Sequence, residues 1–223
     1  MARTVEYNRP TDTGRRRRGR CVVVSAAILA GGRSRRMGRH KALLDFDGLT
    51  LLERTARTLE MLRPAVQEVF VVGEWPEYQA LTLRIVPDDF PNAGPLGGLA
   101  TALRAARSNR VLVVACDMPR LSERLLAAML DAVGDEQVLV PLVRDTEGVP
   151  RYEALHAIYE RGCLPSIEDR IRAGDLKATS FYPFVTVREV DEEWLRAHDP
   201  DLGSLTNVNT PEELANVIRN AVE

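Results

Sequence analysis

Lysine is almost absent from this chain. Its 30 basic residues are 28 Arg and only two Lys, Lys41 and Lys177. In so Arg-biased a chain, a lysine marks a position where a compact, hydrated ammonium does something a planar guanidinium cannot. Cysteine is also scarce. Cys21, Cys116 and Cys163 are far apart, odd in number and in no metal-ligand spacing, which argues against a disulfide framework and a zinc site. His40, His156 and His198 are equally scattered, so no His/Cys metal centre is expected. No apolar run is long enough to cross a bilayer; the longest, residues 21–30, contains Ser25 and suits a buried strand. A basic stretch followed by an apolar run begins like a secretory signal, but the run leads into a glycine loop instead of a cleavage site. A cytoplasmic protein is expected.

What is present is an ordinary globular balance, 45% hydrophobic and 28% charged over 223 residues, enough to bury a sizeable core in one domain. The net charge of −2 hides an asymmetry. Residues 1–20 hold seven Arg against Glu6 and Asp12 and lack any periodicity, which reads as a solvated, disordered leader. The remaining residues are net acidic, which argues against a nucleic-acid binder.

Hydrophobic periodicity predicts strands at residues 22–29, 69–73, 83–86, 111–115, 138–143 and 154–159. Helices are expected from the Thr50/Glu53 capping box to about residue 63, over about 98–107, and from Ser122 to Gly134. Strands alternating with helices imply right-handed βαβ units and a mostly parallel sheet. The expected fold is therefore a single three-layer, Rossmann-like α/β domain over residues 21–223. Residues 144–202 look less regular and read as an added strand pair with loops. Near the end, Thr210, Pro211 and Glu213 form an N-cap, a first-turn proline and a capping box.

In open α/β sheets ligands bind beyond the carboxyl ends of the strands. Two such ends carry unusual chemistry. The first is Leu29-Ala30-Gly31-Gly32-Arg33-Ser34-Arg35-Arg36-Met37-Gly38-Arg39-His40-Lys41. Adjacent glycines let backbone N–H groups approach an anion, and the Arg and Lys side chains concentrate positive charge there, as a polyphosphate site requires. Arg33 stands where a dinucleotide fingerprint needs Gly, and Gly38 is not followed by the Lys-Ser/Thr of a Walker loop. The second is Asp117, directly after the strand ending at Ala115, where a carboxylate can hold a hard cation among phosphates or serve as a turn residue before Pro119. Between them, Asp88, Asp89 and the Gly94-Pro95-Leu96-Gly97-Gly98 stretch read as a turn-rich loop whose backbone groups solvent or a ligand must satisfy, or as a plain helix-entry loop. Asn207 and Asn209 alternate and should face one side of an extended segment, as active-site groups or as plain turn formers.

These four elements, in this order, resemble the molybdenum cofactor guanylyltransferases, members of the GT-A-like nucleotidyltransferases. The motif Leu-Ala-Gly-Gly-x-Ser-x-Arg-Met-Gly-x-x-Lys ending at Lys41 is shared with the wider superfamily; the four elements together are specific. The resemblance spans about residues 22–218. It implies that Leu29, Ala30, Gly31 and Gly32 contact a nucleotide and that Arg36 and Lys41 contact its phosphates. It further implies that Asp88, Gly94, Pro95 and Leu96 lie by the guanosine, with the backbone carbonyls of residues 94–98 accepting from the guanine pairing edge, that Asp117 holds Mg²⁺, and that Asn207 and Asn209 sit near the pterin cofactor on the acceptor side or near the metal. His40 departs from the acidic residue many members carry there, and some members have an Asn at a strand end where this chain reads Val71-Val72-Gly73-Glu74, so no nucleotide contact is assigned there.

The implied reaction is attack by the terminal phosphate of molybdopterin, or its molybdenum form, on the α-phosphate of GTP, with Lys41, Arg36 and Asp117 as the catalytic set. A transient contact with the receiving molybdoenzyme or its chaperone is also implied, and no contact with membrane. The alternatives are a CTP-dependent enzyme, a transferase for another phosphorylated metabolite, and a non-catalytic cofactor carrier. Because the leader carries none of the four elements, deleting residues 2–20 is expected to leave transferase activity in vitro within about twofold of the full chain; a dead truncation would put the leader in the mechanism.

Overall fold

The computed structural model describes residues 22–31, 41–46, 48–145 and 147–208, together with residues 210, 213, 216 and 217. The leader read at residues 1–20 lies outside the described residues, as do Gly32, Arg36 and Asn209. Strand β1, Val24–Leu29, is buried along all six residues. Val24, Ala26 and Ile28 join one core cluster, whereas Ala27 and Leu29 join another. That alternation is what a strand shows when helices cover both faces of its sheet.

A small hairpin, β2 (Asp45–Phe46) and β3 (Leu49–Thr50), leads into α1, Leu51–Glu60. The predicted capping box is present. The Thr50 hydroxyl accepts from the Glu53 N–H at 3.2 Å, and the Glu53 carboxylate accepts from the Thr50 N–H at 2.9 Å. Strands β4 (Val66–Val72) and β5 (Arg84–Val86) follow, then α2 (Gly94–Ala105), β6 (Arg110–Ala115) and α3 (Glu123–Ala132). The second half holds β7 (Val138–Arg144), β8 (Pro150–Tyr152), β9 (His156–Glu160), α4 (Leu164–Arg172), β10 (Val187–Val190) and α5 (Glu192–His198).

The main sheet runs β10-β7-β9-β6-β1-β4-β5, with β8 paired to β7. Strand β1 is parallel to both β4 and β6. Only β9 reverses direction within that order, pairing antiparallel with β6 and β7. Leu52 of α1, Leu126 of α3 and Leu195 of α5 pack on one face. Leu99 of α2 and Ile167 of α4 pack on the other. The expected three-layer, mostly parallel α/β domain is what the chain forms.

Two expectations need correction. Helix α2 begins at Gly94 rather than near Gly98, because Gly94 turns the chain at φ 60° and Pro95 occupies a favoured first-turn position. Residues 144–202 carry more than a strand pair. They add α4 and α5 and a parallel edge strand, and Asp191 caps α5 by accepting from the Trp194 N–H at 2.9 Å. At the C-terminal end the Glu213 N–H donates to the Thr210 hydroxyl at 3.1 Å, the cap expected there.

His156 opens β9 fully buried, and neither ring nitrogen has a partner among the described residues. Burial pushes its pKa down to about 4, against an opposing pull from Asp199. Between about pH 6.5 and 4 the unfolded chain takes up a proton here that the folded chain refuses, so stability falls as pH falls through that window. The loss should reach about 3 kcal/mol at the acid end. Urea unfolding at pH 7.5, 5.5 and 4.5 should show a shallower acid decline in His156→Leu than in the wild type; equal declines would remove His156 from the acid response.

Candidate active site

The site forms where three parallel strands end level with one another. Leu29 pairs with Val72 of β4 and with Ala115 of β6. Just beyond, the Ala30 N–H donates to the Val72 carbonyl at 2.9 Å, and the Cys116 N–H donates to the Leu29 carbonyl at 3.2 Å. Gly73 then makes a contact no other residue could make. A Cβ there would lie 2.9 Å from the Ala30 carbonyl group and from the Gly31 nitrogen, and its φ is 138°. The buried Tyr78 hydroxyl donates to the Ala30 carbonyl at 3.1 Å. Burial pushes the Tyr78 pKa up, which keeps that donor protonated. Ala30 is thus fixed on three sides, and the chain leaves β1 at Gly31 in one direction.

The β6 end is clamped as firmly. Lys41, in a short helical turn before β2, places its Nζ 2.7 Å from Asp117 Oδ2. The turn behind that carboxylate is held by three further contacts. The Val208 N–H donates to the Asp117 carbonyl at 3.0 Å. Arg54 of α1 donates to the Pro119 carbonyl at 2.9 Å while stacking over Phe46 at 4.4 Å. The fully buried Ser204 accepts from the Ser122 N–H at 2.6 Å.

Asp117 Oδ1 is buried and has no hydrogen-bond partner among the described residues. An orphaned buried carboxylate oxygen fits a hard divalent cation, which takes one or two carboxylates and completes its shell from phosphates and water. No group of three or more His, Cys, Asp or Glu side chains among the described residues could hold a metal, so phosphate oxygens would have to contribute.

Asp88 follows β5 in a tight turn. Its Oδ1 accepts from the Phe90 N–H at 2.9 Å and from the Thr101 hydroxyl at 2.9 Å. This fixes the carboxylate while committing only one of its oxygens. The reading of Gly94 to Gly98 as an open loop fails, because these residues are the first turns of α2 and their carbonyls enter the helix ladder. The glycines serve packing instead. A Cβ on Gly97 would meet the Phe90 carbonyl at 2.8 Å, and one on Gly98 would press on the Leu29 side chain at 3.3 Å. Gly94 and Pro95 are exposed, whereas Leu96 is fully buried and could offer a ligand only its backbone.

The family described as the MobA-like NTP transferase domain matches residues 26–188. The chain belongs to that family. Among its relatives is a probable molybdenum cofactor guanylyltransferase of Pelotomaculum thermopropionicum, 39% identical over 194 residues, which span 86% of this chain and 91% of that one. The molybdenum cofactor guanylyltransferase of Desulfosudis oleivorans is 34% identical, covering 86% of this chain and 93% of its own. In fold the chain is similar to the molybdopterin-guanine dinucleotide biosynthesis protein A of Archaeoglobus fulgidus, with a TM-score of 0.72 at 24% identity over 89% of this chain and 99% of that one.

Within this MobA-like domain the structure brings Leu29, Ala30, Gly31, Lys41 and Asp117 to one edge, with Asp88 and the start of α2 beside them. The exposed Asn207 is next to Val208, whose N–H reaches the Asp117 carbonyl, so the asparagine segment adjoins the carboxylate. Sequence reasoning missed Gly73, Tyr78, Ser204 and Glu153. The first three give no local signal, since each acts on a backbone group distant in sequence. Glu153 could have been noticed as an acid directly ahead of an apolar alternation. It is buried at the turn before β9, where burial pushes its carboxyl pKa up, Arg151 opposes the rise, and Asp117 adds to it.

The glycine contact sets a test. Gly73→Ala should push the Ala30–Gly31 backbone outward, since the atoms it meets are main chain and cannot swing aside. The expected result is a loss of about 1–3 kcal/mol in stability and a rise of about tenfold or more in nucleotide KM. Unchanged nucleotide KM in a folded variant would mean that the β1 exit does not contact the nucleotide.

Proposed function

We propose that this chain transfers GMP from GTP to the terminal phosphate of molybdopterin, in its metal-free or molybdenum form, and releases pyrophosphate. The observation that carries the reading is the Lys41–Asp117 pair at the end of β6, beside the fixed turn at the end of β1. The relatives named molybdenum cofactor guanylyltransferase support the choice of donor and acceptor.

An acceptor phosphate oxygen attacks the α-phosphorus of GTP, a new P–O bond forms, and the bond to the β-phosphate oxygen breaks. No covalent enzyme intermediate is needed, so catalysis is positioning and neutralisation of charge. Lys41 delivers an ammonium to the transferring phosphate, Arg36 adds a second cation, and Gly31 and Gly32 offer backbone N–H groups. Mg²⁺ bound to Asp117 and to phosphate oxygens would neutralise charge that develops on the leaving pyrophosphate. In place of the carbonyls first expected to read the base, Asp88 offers its remaining oxygen to the N1–H and N2–H₂ donors of guanine. Gly94, Pro95 and Leu96 shape the wall beside it, and Asn207 and Asn209 serve the acceptor side. The reaction belongs to the cytoplasm, with residues 1–20 outside the catalytic domain and the product passed on through a transient contact with a molybdoenzyme or its chaperone.

Lys41→Ala should lower kcat by roughly 100-fold or more with the fold intact, and Lys41→Arg should rescue poorly. Asp117→Asn should keep nucleotide binding measurable while raising the Mg²⁺ concentration for half-maximal rate. Pyrophosphate release measured with GTP, CTP and ATP in turn, with and without molybdopterin, decides the substrate. Preference for CTP would overturn the choice of base, and a lack of acceptor-dependent release with every nucleotide would leave a carrier.

A further inference from the structure

The sheet order divides the site at Asp117. On the β1, β4 and β5 side lie Leu29 to Gly31, Gly73 and Asp88. On the other side lie β9, β7 and β8, and the proposed reaction leaves that half for the acceptor. There the chain makes a turn from Glu153 to His156. The His156 N–H donates to the Glu153 carbonyl at 2.9 Å, and the Glu153 N–H donates to the Pro141 carbonyl at 3.0 Å. The same turn is tied to β6, because the Leu155 carbonyl accepts from the Ala115 N–H at 3.0 Å, two residues before Asp117. Just ahead of the turn, Arg151 sits on β8 opposite Val143, where the β7–β8 hairpin runs past the β9 pairing.

Arg151 and Glu153 are two apart on an extended segment, so their side chains share a face. They meet at 2.5 Å, yet their exposures differ sharply: the Glu153 side chain is 7% exposed and that of Arg151 is 57%. The contact is an ion pair that lacks the alignment of a hydrogen bond. A buried carboxylate is costly unless a cation compensates it. Here the acid is sunk against the end of β6, and the base it holds projects to solvent on the acceptor side. An arrangement that served stability alone would favour a polar or apolar residue at 153. A guanidinium carries five N–H donors, so one edge can stay on Glu153 while another takes a phosphate.

We propose that Arg151 binds the phosphate of the acceptor and that Glu153 is the positioning residue that aims it. The assignment rests on the transfer reaction proposed above. Two polyanions must meet in that reaction. Lys41 serves the donor phosphates, and the attacking phosphate needs a cation of its own on the β9 side.

Initial rates with the full chain, varying molybdopterin at saturating GTP and then GTP at saturating molybdopterin, test this in wild type, R151A, R151K and E153Q. R151A should raise the acceptor KM about tenfold or more with the GTP KM within about twofold, and R151K should recover part of the loss. E153Q should move the acceptor KM in the same direction by less, and should add nothing in the R151A background. An unchanged acceptor KM in R151A, or an equal rise in both KM values, would overturn the assignment. So would an E153Q variant whose main defect is a raised Mg²⁺ requirement, which would make Glu153 a metal ligand. A wild type that makes no dinucleotide would take down the transfer reading and Arg151 with it. A productive wild type with an indifferent R151A would take down Arg151 alone.

Discussion

Parallel pairing of β1 on both of its edges is the constraint from which the site follows. A strand flanked in parallel by β4 and β6 must finish at the same edge as its neighbours, and the register puts Leu29 level with Val72 and Ala115. That pairing demands burial on both faces, and small residues at Ala26 and Ala27 let helices close from either side. Once the three ends are level, residues 30–31, 73 and 116–117 are neighbours whatever their side chains. The chemistry is then a matter of what stands at those positions.

Asp117 illustrates how such a position is made rigid. Its own strand delivers it to the edge, but α1 and the C-terminal segment hold the turn behind it, through Arg54 on the Pro119 carbonyl, Val208 on the Asp117 carbonyl and Ser204 on the Ser122 N–H. Lys41 approaches from the chain that returns after the glycine loop. Before substrate arrives, the ammonium and the carboxylate compensate each other, so neither is left partly buried without a partner. In the proposed transfer, phosphates and a cation would offer each of them a new partner of the right sign, and the pair would separate without stranding a charge.

Much of this was legible in the sequence, and the reasons differ by element. Periodicity located the strands that carry the site, since buried β-branched runs such as Val111 to Ala115 have few other uses. Capping residues located α1 and α3, because Thr50, Glu53 and Ser122 act on amides three residues away. Asp117 and Lys41 stood out by placement and by rarity. The start of α2 was misjudged because glycine and proline signal a loop in isolation, whereas Pro95 at a first turn is a helix former. Tyr78 and Ser204 were invisible for a different reason. A side chain that holds a carbonyl 48 residues away, or an amide 82 residues away, leaves no mark on its own neighbourhood.

The reversed direction of β9 has a consequence for how such a domain can diversify. A parallel strand offers the site only the loop that follows it, and that loop must also lead into the next helix. Strand β9 runs the other way, so it presents at this edge the turn that precedes it, together with the β7–β8 hairpin from which that turn descends. A hairpin ends on itself and carries no obligation to deliver the chain across a face of the sheet. Its length and side chains can therefore change with little effect on the strands that fix Ala30 and Asp117. One half of the site is bound by the architecture, and the other half is free to be fitted to a different phosphorylated partner.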